Sequence, residues 1–324
     1  FTYKTNSHSE GKGIGTDKGL TVSGSGELDN GWTFSIYTYF SDALAISSHA
    51  TSLTMGSLGT ITAGNGWGGN STSFDEEVPQ AYEQASDLRN ASGNSSNFVG
   101  TFTDGGGLTW AVPSFDLGGA TASILLGWAP NGDDAGVNNG GVGTRSGAWG
   151  DATDIGLTIA SDMGITLGVY AAQRENNFAA AAGADQGKDE FNGVWYAKYA
   201  AGPVSLGVSQ SYLDYGAGTA AVEAATSAKT IRTAGGIFEE TQMSIAFNVN
   251  DNVSISYTDA TDTYDAQDNN SSGTATADVD MDSEALQISY SMGGMSISAY
   301  QMETSNPNWD SNATKHSASE VSIG

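Results

Sequence analysis

Apolar and polar residues alternate along most of this chain, which is the pattern of strands with two unlike faces. In LTVSGSGEL (20–28), Leu20, Val22, Gly24, Gly26 and Leu28 share one face, and Thr21, Ser23, Ser25 and Glu27 share the other. ATDIGLTIAS (152–161) sets Ile155, Leu157 and Ile159 against Asp154, Gly156, Thr158 and Ala160. ITLGVYAAQR (165–174) sets Ile165, Leu167, Val169 and Ala171 against Thr166, Gly168, Tyr170, Ala172 and Arg174. Segments 240–249, 252–259, 286–292 and 295–302 repeat the rhythm. The second face carries mainly Ser, Thr, Gly and Gln, so one side of each strand suits water.

The connections alternate as well. Seven are short: 29–31, 56–59, 116–119, 161–164, 200–203, 250–252 and 293–294, with the Asn, Asp and Gly that tight hairpins require. Between them run long ones at 8–18, 66–107, 130–150, 174–190, 215–235, 261–281 and 305–314, and only the link near 41–43 breaks the rule. Seven hairpins with bracketing strands give about sixteen strands in a single domain over 1–324. The expected fold is all-β: an antiparallel up-and-down transmembrane β-barrel with short turns at one end and long loops at the other. A closed barrel pairs every backbone group at membrane depth, and a sheet of this size encloses a water-filled passage. The polar stretch GWGGNSTSFDEEVPQAYEQASDLRNASGNSSN (66–97) then has a place to go, inward into the lumen. Ala-rich runs at 179–182 and 219–225 fall in loops with room for a short helix.

Composition narrows this picture. The net charge of −26, from 11 Lys+Arg against 37 Asp+Glu, excludes nucleic acid as a partner and is a poor match for anionic headgroups. With 7 Trp, 13 Tyr and 11 Phe, the chain is ordered despite its acidity. There is no cysteine, hence no disulfide, thiol nucleophile or Cys-based metal site. No run approaches the roughly 18–20 apolar residues of a spanning helix, which leaves strands as the route across a bilayer. The chain opens FTYKTNSH, without a charged-then-apolar leader; a signal peptide was either removed or never present.

Two stretches resemble the general bacterial porin family, the trimeric sixteen-stranded type of the Gram-negative outer membrane. LTMGSLGTITAGN (53–65) is similar to that family's strand–turn–strand leading into an inward third loop. LTWAVPSFDLGGATASILLGWAP (108–130) is similar to the following pair, a strand ending in Pro-x-Phe, a Gly turn and an outward strand ending in Ala-Pro. The resemblance implies a homotrimeric, non-enzymatic channel passing small hydrophilic solutes and ions. It implies contact with outer-membrane lipid or lipopolysaccharide, a constriction loop at about 66–107 and no cofactor. The sequence departs from the family in two ways. The family's arginine cluster facing the third loop has little to be built from here, since only four arginines exist, so a strong transverse field is not expected. The family's additional half-strand and terminal Phe are also lacking, so strand ends are expected beyond Phe1 and Gly324.

Candidate residues follow from charge and parity. Asp75, Glu76, Glu77, Glu83 and Asp87 in the third loop would form an acidic eyelet preferring cations, or else stand as solvated loop charges. Lys4, Arg174, Lys198 and Arg232 fall on lumen or rim positions, because a basic side chain at the lipid midplane costs about 2–4 kcal/mol. Arg89, within the loop, is expected to pair with a neighbouring acid. Asp278, Asp280 and Asp282, following Asp259, Asp262, Asp265 and Asp268, offer the oxygens calcium wants; lacking EF-hand spacing and a closing bidentate Glu, they read better as a solvated surface loop. His8, His49 and His316 are scattered, without zinc spacing or a nucleophile–base pattern. Trp32, Phe34, Phe115, Trp128 and Tyr290 lie near strand ends, where a bilayer favours aromatic rings. The segment ALAISSHATSLT has no lipid-suited face and is expected at a subunit interface. Two other readings stay open: a secreted or surface-attached soluble β protein (an adhesin or glycan binder), and a substrate-specific channel using lumen aromatics such as Tyr170.

Overall fold

The computed structural model describes residues 1–6, 11–16, 18–75, 77–85, 99–100, 106–130, 149–176, 189–214, 237–265 and 279–324. In chain order its strands are β1 (Thr2–Asn6), β2 (Gly11–Gly15), β3 (Leu20–Glu27), β4 (Thr33–Phe40), β5 (Ile46–Thr54) and β6 (Thr60–Asn65). Next come β7 (Gly107–Ala111), β8 (Phe115–Asp116), β9 (Ala120–Ala129), β10 (Trp149–Ser161), β11 (Ile165–Asn176) and β12 (Glu190–Ala201). The last six are β13 (Val204–Asp214), β14 (Ile237–Asn250), β15 (Val253–Asp265), β16 (Val279–Met292), β17 (Met295–Ser305) and β18 (His316–Ile323).

All eighteen belong to one sheet, in which chain neighbours pair antiparallel. β7 and β8 both run along β9, with Leu108 opposite Trp128 and Phe115 opposite Ala122. They are two pieces of one leg, interrupted at Pro113, which has no N–H for the ladder. β2 and β3 also share a leg: β2 pairs with β1 and β3 with β4, and the alternation keeps its phase across the gap, with Ile14 and Leu20 both outward. Eighteen strands with two such broken legs make sixteen legs in an up-and-down order. β18 pairs with β1 from Thr2↔Ser322 to Asn6↔Ala318, joining the two ends of the meander. The ladder is not a complete ring within the described residues, because the β2–β3 leg meets one neighbour through its first half and the other through its second.

Every expected short connection is present, and all lie at one end of the legs. In the 56–59 turn, Gly59 adopts a φ of +85°, and a Cβ there would run into the carbonyl of Ala111, so glycine is required on both counts. Some strands run further than alternation alone suggests. β11 continues to Asn176, and the expected loop 261–281 is strand up to Asp265 and again from Val279. The outward face of the β15 and β16 extensions is polar, and their apolar residues Tyr264, Val279 and Met281 point inward into a cluster with Phe238 and Trp309, so no lipid-suited stripe marks them.

The faces are inverted relative to a water-soluble sheet. Leu286 is 59 % exposed while its neighbour Gln287 is 1 % exposed. Outward positions on β10–β16 carry Ile155, Leu167, Val169, Leu206, Ile245, Ile255 and Ile288, all exposed. Inward positions carry Asn192, Ser209, Gln242, Thr258 and Glu320, all buried. Phe34, Phe115, Tyr199, Phe247 and Tyr290 add exposed rings near the short turns. A sheet with an apolar outside and a polar inside belongs in a bilayer, with water or protein filling its middle.

Candidate functional site

The described part of the third long connection crosses the inner face of the sheet strand by strand. Asn70 Nδ2 donates to Asp154 Oδ1 on β10 at 2.7 Å. Phe74 is almost fully buried, stacked on Tyr170 of β11 at 5.3 Å and tilted against Tyr196 of β12 at 6.3 Å. Its ring fills the room that Gly156 leaves on β10, where any Cβ would collide with it. Glu77 pairs with Lys198 of β12, and Pro79 sits over Gly207 of β13 in the same manner as Phe74 over Gly156. Ser244 Oγ on β14 then donates to the Pro79 carbonyl. The amides of Ala81 and Tyr82 donate to Ser256 Oγ on β15 and Gln287 Oε1 on β16, each at 2.9 Å. Tyr82 packs on Tyr300 of β17 and donates its hydroxyl to Glu320 Oε1 of β18 at 2.6 Å. Residues 70–83 thus touch nine consecutive strands, β10 to β18, and the returning Val99–Gly100 comes back over β11 and β12.

The Tyr82 phenol lies far above its ordinary titration range, chiefly through burial and then through its bond to Glu320, so it stays a donor. Tyr82→Phe is expected to weaken the loop tip's attachment by about 1.5–3 kcal/mol, the worth of a hydrogen bond to a charged group. Faster hydrogen exchange at the Ala81 and Tyr82 amides would report it; unchanged exchange would show that the bond holds nothing.

The expected site residues divide as follows. Asp75, Glu77 and Glu83 lie on the crossing loop; Glu76 and Asp87 lie outside the described residues, as do Arg89, Arg232, His8, Asp268 and Asp278. The Ala-rich runs 179–182 and 219–225 lie outside them too. Lys4, Arg174 and Lys198 all point inward, and each meets an acid: Lys4 with Glu320 at 2.5 Å, Arg174 with Glu190 at 2.5 Å, and Lys198 with Glu77. Only the last partner belongs to the loop; the other two belong to the wall. Asp280 and Asp282 are not in a loop but on the outward face of β16, accepting from Thr263 Oγ1 at 2.7 Å and Thr261 Oγ1 at 2.9 Å on β15. Among the described residues, no group of three or more acids and histidines is arranged to hold a metal. Tyr170 is 1 % exposed beneath Phe74, which removes it as a solute contact. His316 begins β18 rather than lying in a loop. Phe74, Tyr82 and the glycines beneath the loop were not read from the sequence. Glycine at the inward positions 156 and 207 was the visible sign, since a strand gives up packing there for something to approach.

The wall away from residues 70–83, where Trp67 at the start of the loop lies against Gly64 of β6, has a different chemistry. Inward positions of β3–β7 are Thr21, Ser23, Ser25, Tyr37, Tyr39, Ser48, Ser52, Thr54, Thr60, Thr62 and Thr109, with Glu27 near the turn and no basic residue. Ser52 and Thr62 share a hydrogen bond at 2.8 Å, and Thr54 and Thr60 one at 2.9 Å. A space of about 430 Å³ opens beneath the loop on the short-turn side, against Thr166, Lys198 and Ser205.

No family model matches the chain, and no curated protein matches it. Solved structures do. A porin refined at 1.8 Å resolution superposes with a TM-score of 0.65 at 12 % identity, covering 99 % of this chain and 96 % of that one. The anion-selective porin from Comamonas acidovorans gives 0.63 at 13 % identity over 99 % and 95 % of the two chains. Salmonella typhi OmpF gives 0.61 at 11 % identity over 99 % and 95 %. At these identities the likeness is one of fold.

Proposed function

We propose, from the premise that this chain has the fold of the bacterial porins, that it forms a passive, water-filled diffusion channel in the outer membrane of a Gram-negative bacterium. It passes small hydrophilic solutes and ions down their gradients and prefers cations. The observation that carries this reading is the inverted sheet crossed on its inside by a loop. A soluble adhesin or glycan-binding sandwich would bury Leu286, Ile245 and Leu167 and expose Gln287 and Gln242, the opposite of what is seen. Nothing in passive diffusion needs a cofactor or an enzyme's chemistry.

The cation preference rests on unequal charges. The crossing loop carries Asp75, Glu77 and Glu83, and the whole chain has 37 Asp+Glu against 11 Lys+Arg. Carboxylates around a narrow aqueous path favour cations. The anion-selective Comamonas neighbour shows that the fold itself sets no sign, so side chains decide it. We read the subunits as a homotrimer in contact with outer-membrane lipid or lipopolysaccharide. The outer face of β5 supports this, with His49 and Thr51 where β10–β16 carry aliphatic residues. A stable monomer in mild detergent would contradict that assembly.

Reconstitution into a planar bilayer under a salt gradient tests the whole reading: stepwise conductance with a cation-selective reversal potential is expected. Absence of conductance from a protein soluble without detergent would favour the soluble alternative. Glu77→Gln and Asp75→Asn should each reduce cation preference, because each removes one negative charge from the crossing loop. Lys198→Gln should shift the reversal potential in the opposite direction. Identical potentials for all three would clear these residues of the role.

A further inference from the structure

The two sides of the lumen differ in how their polar groups are employed. Beneath the loop, Asp154, Ser244, Ser256, Gln287 and Glu320 are taken up by loop partners. Opposite lies a panel whose groups are free. Tyr37 and Tyr39 stand two residues apart on the inward face of β4, between Ser23 and Thr21 on β3 and Ala50 and Ser48 on β5. Both rings are half-buried, and Tyr39 leans on the wall over Gly19, where a Cβ would meet its hydroxyl end. Among the described residues, neither phenol hydroxyl has a hydrogen-bond partner, nor do the side-chain hydroxyls of Thr21, Ser23 and Ser48. No lysine or arginine occupies an inward position on β3–β7.

We propose that Tyr37 and Tyr39, with Thr21, Ser23 and Ser48, form a weak subsite on the permeation path for neutral polyhydroxylated solutes, the class to which sugars belong. This rests on the channel reading and adds a solute class to it. A sugar presents an apolar C–H face and a rim of hydroxyls. The ring faces offer apolar contact for the first, and the unpaired hydroxyls around them offer donors and acceptors for the second. Charged solutes gain nothing from such a panel, because it carries no charge to meet theirs.

The test uses the full-length channel in a planar bilayer, with ion conductance recorded first. Raffinose, a neutral trisaccharide, is then compared with a polyethylene glycol of equal hydrodynamic size. Raffinose should add current noise with a resolvable dwell time, and the polymer should only lower the current. The Tyr37→Ala/Tyr39→Ala variant should keep its ion conductance and shorten the raffinose dwell about tenfold, as expected for losing two stacking rings. Tyr37→Phe/Tyr39→Phe, which barely changes side-chain volume, should fall between and serves if the alanine variant does not insert. Equal behaviour of raffinose and polymer in the wild type, or an unchanged dwell in the variants, overturns the subsite while leaving the channel intact. No ion conductance at all overturns the channel reading and the subsite with it.

Discussion

Phe74→Ala is expected to unseat the crossing loop and to raise single-channel conductance, with a noisier open state. Phe74 is the largest buried apolar side chain of the described part of the loop, gripped by Tyr170 and Tyr196 in the space that Gly156 vacates. Truncating a buried phenylalanine costs about 3–5 kcal/mol, whereas a typical hydrogen bond returns about 0.5–1.5 kcal/mol net. The loop's other described ties on β13–β16 are a Pro–Gly contact and hydrogen bonds, one each to Ser244 and Ser256 and two to Gln287, so the aromatic plug outweighs any one of them. Gly156→Leu should give the same phenotype from the wall side, since the added side chain must occupy the ring's place. Both variants should still insert, because the ladder is untouched. Unchanged conductance in both would mean that Phe74 does not hold the loop.

Ile245→Arg should destabilise the protein in lipid vesicles by about 2–4 kcal/mol, the cost of a guanidinium at the apolar midband. Ile245 faces outward between Leu206 of β13 and Tyr257 of β15. Thr241 lies on the same face of β14, two outward positions nearer the long loops, opposite Thr261. Thr241→Arg should cost about 0–1 kcal/mol, as near an interface. Denaturant midpoints in vesicles measure both. Equal costs would mean that no apolar band crosses this face, and the membrane reading would fall with it.

Much of the barrel was legible because its construction is periodic. An alternating run can be read without knowing its partner: Ile165, Leu167 and Val169 declare one face by spacing, and Asn250, Asp251 and Asn252 declare a turn. The alternation failed at 259–265 and 279–284, where Asp259, Thr261, Asp280, Asp282 and Glu284 put polar residues on the outward face. Their apolar residues, Tyr264, Val279 and Met281, sit on the inward face instead, so the outward stripe that marks the other strands is missing. Parity correctly turned Lys4, Arg174 and Lys198 inward, yet could not name their partners, since Glu77 meets Lys198 across 121 residues. The loop's path was illegible for the same reason. It contacts each strand through one or two residues, so no local pattern records the route.

Residues 70–83 also have a mechanical consequence. A wide hollow sheet is compliant and tends to flatten into an oval, because nothing inside resists a change of curvature. Here a strap fastened to β10 through β18 sets the curvature of that half, while on β3–β7 the described loop adds only Trp67 against Gly64, at its own starting strand. In an isolated subunit, breathing of the cross-section is expected to concentrate on the arc lined by Tyr37 and Tyr39, and in the proposed trimer the contacts along β5 would stiffen that same arc.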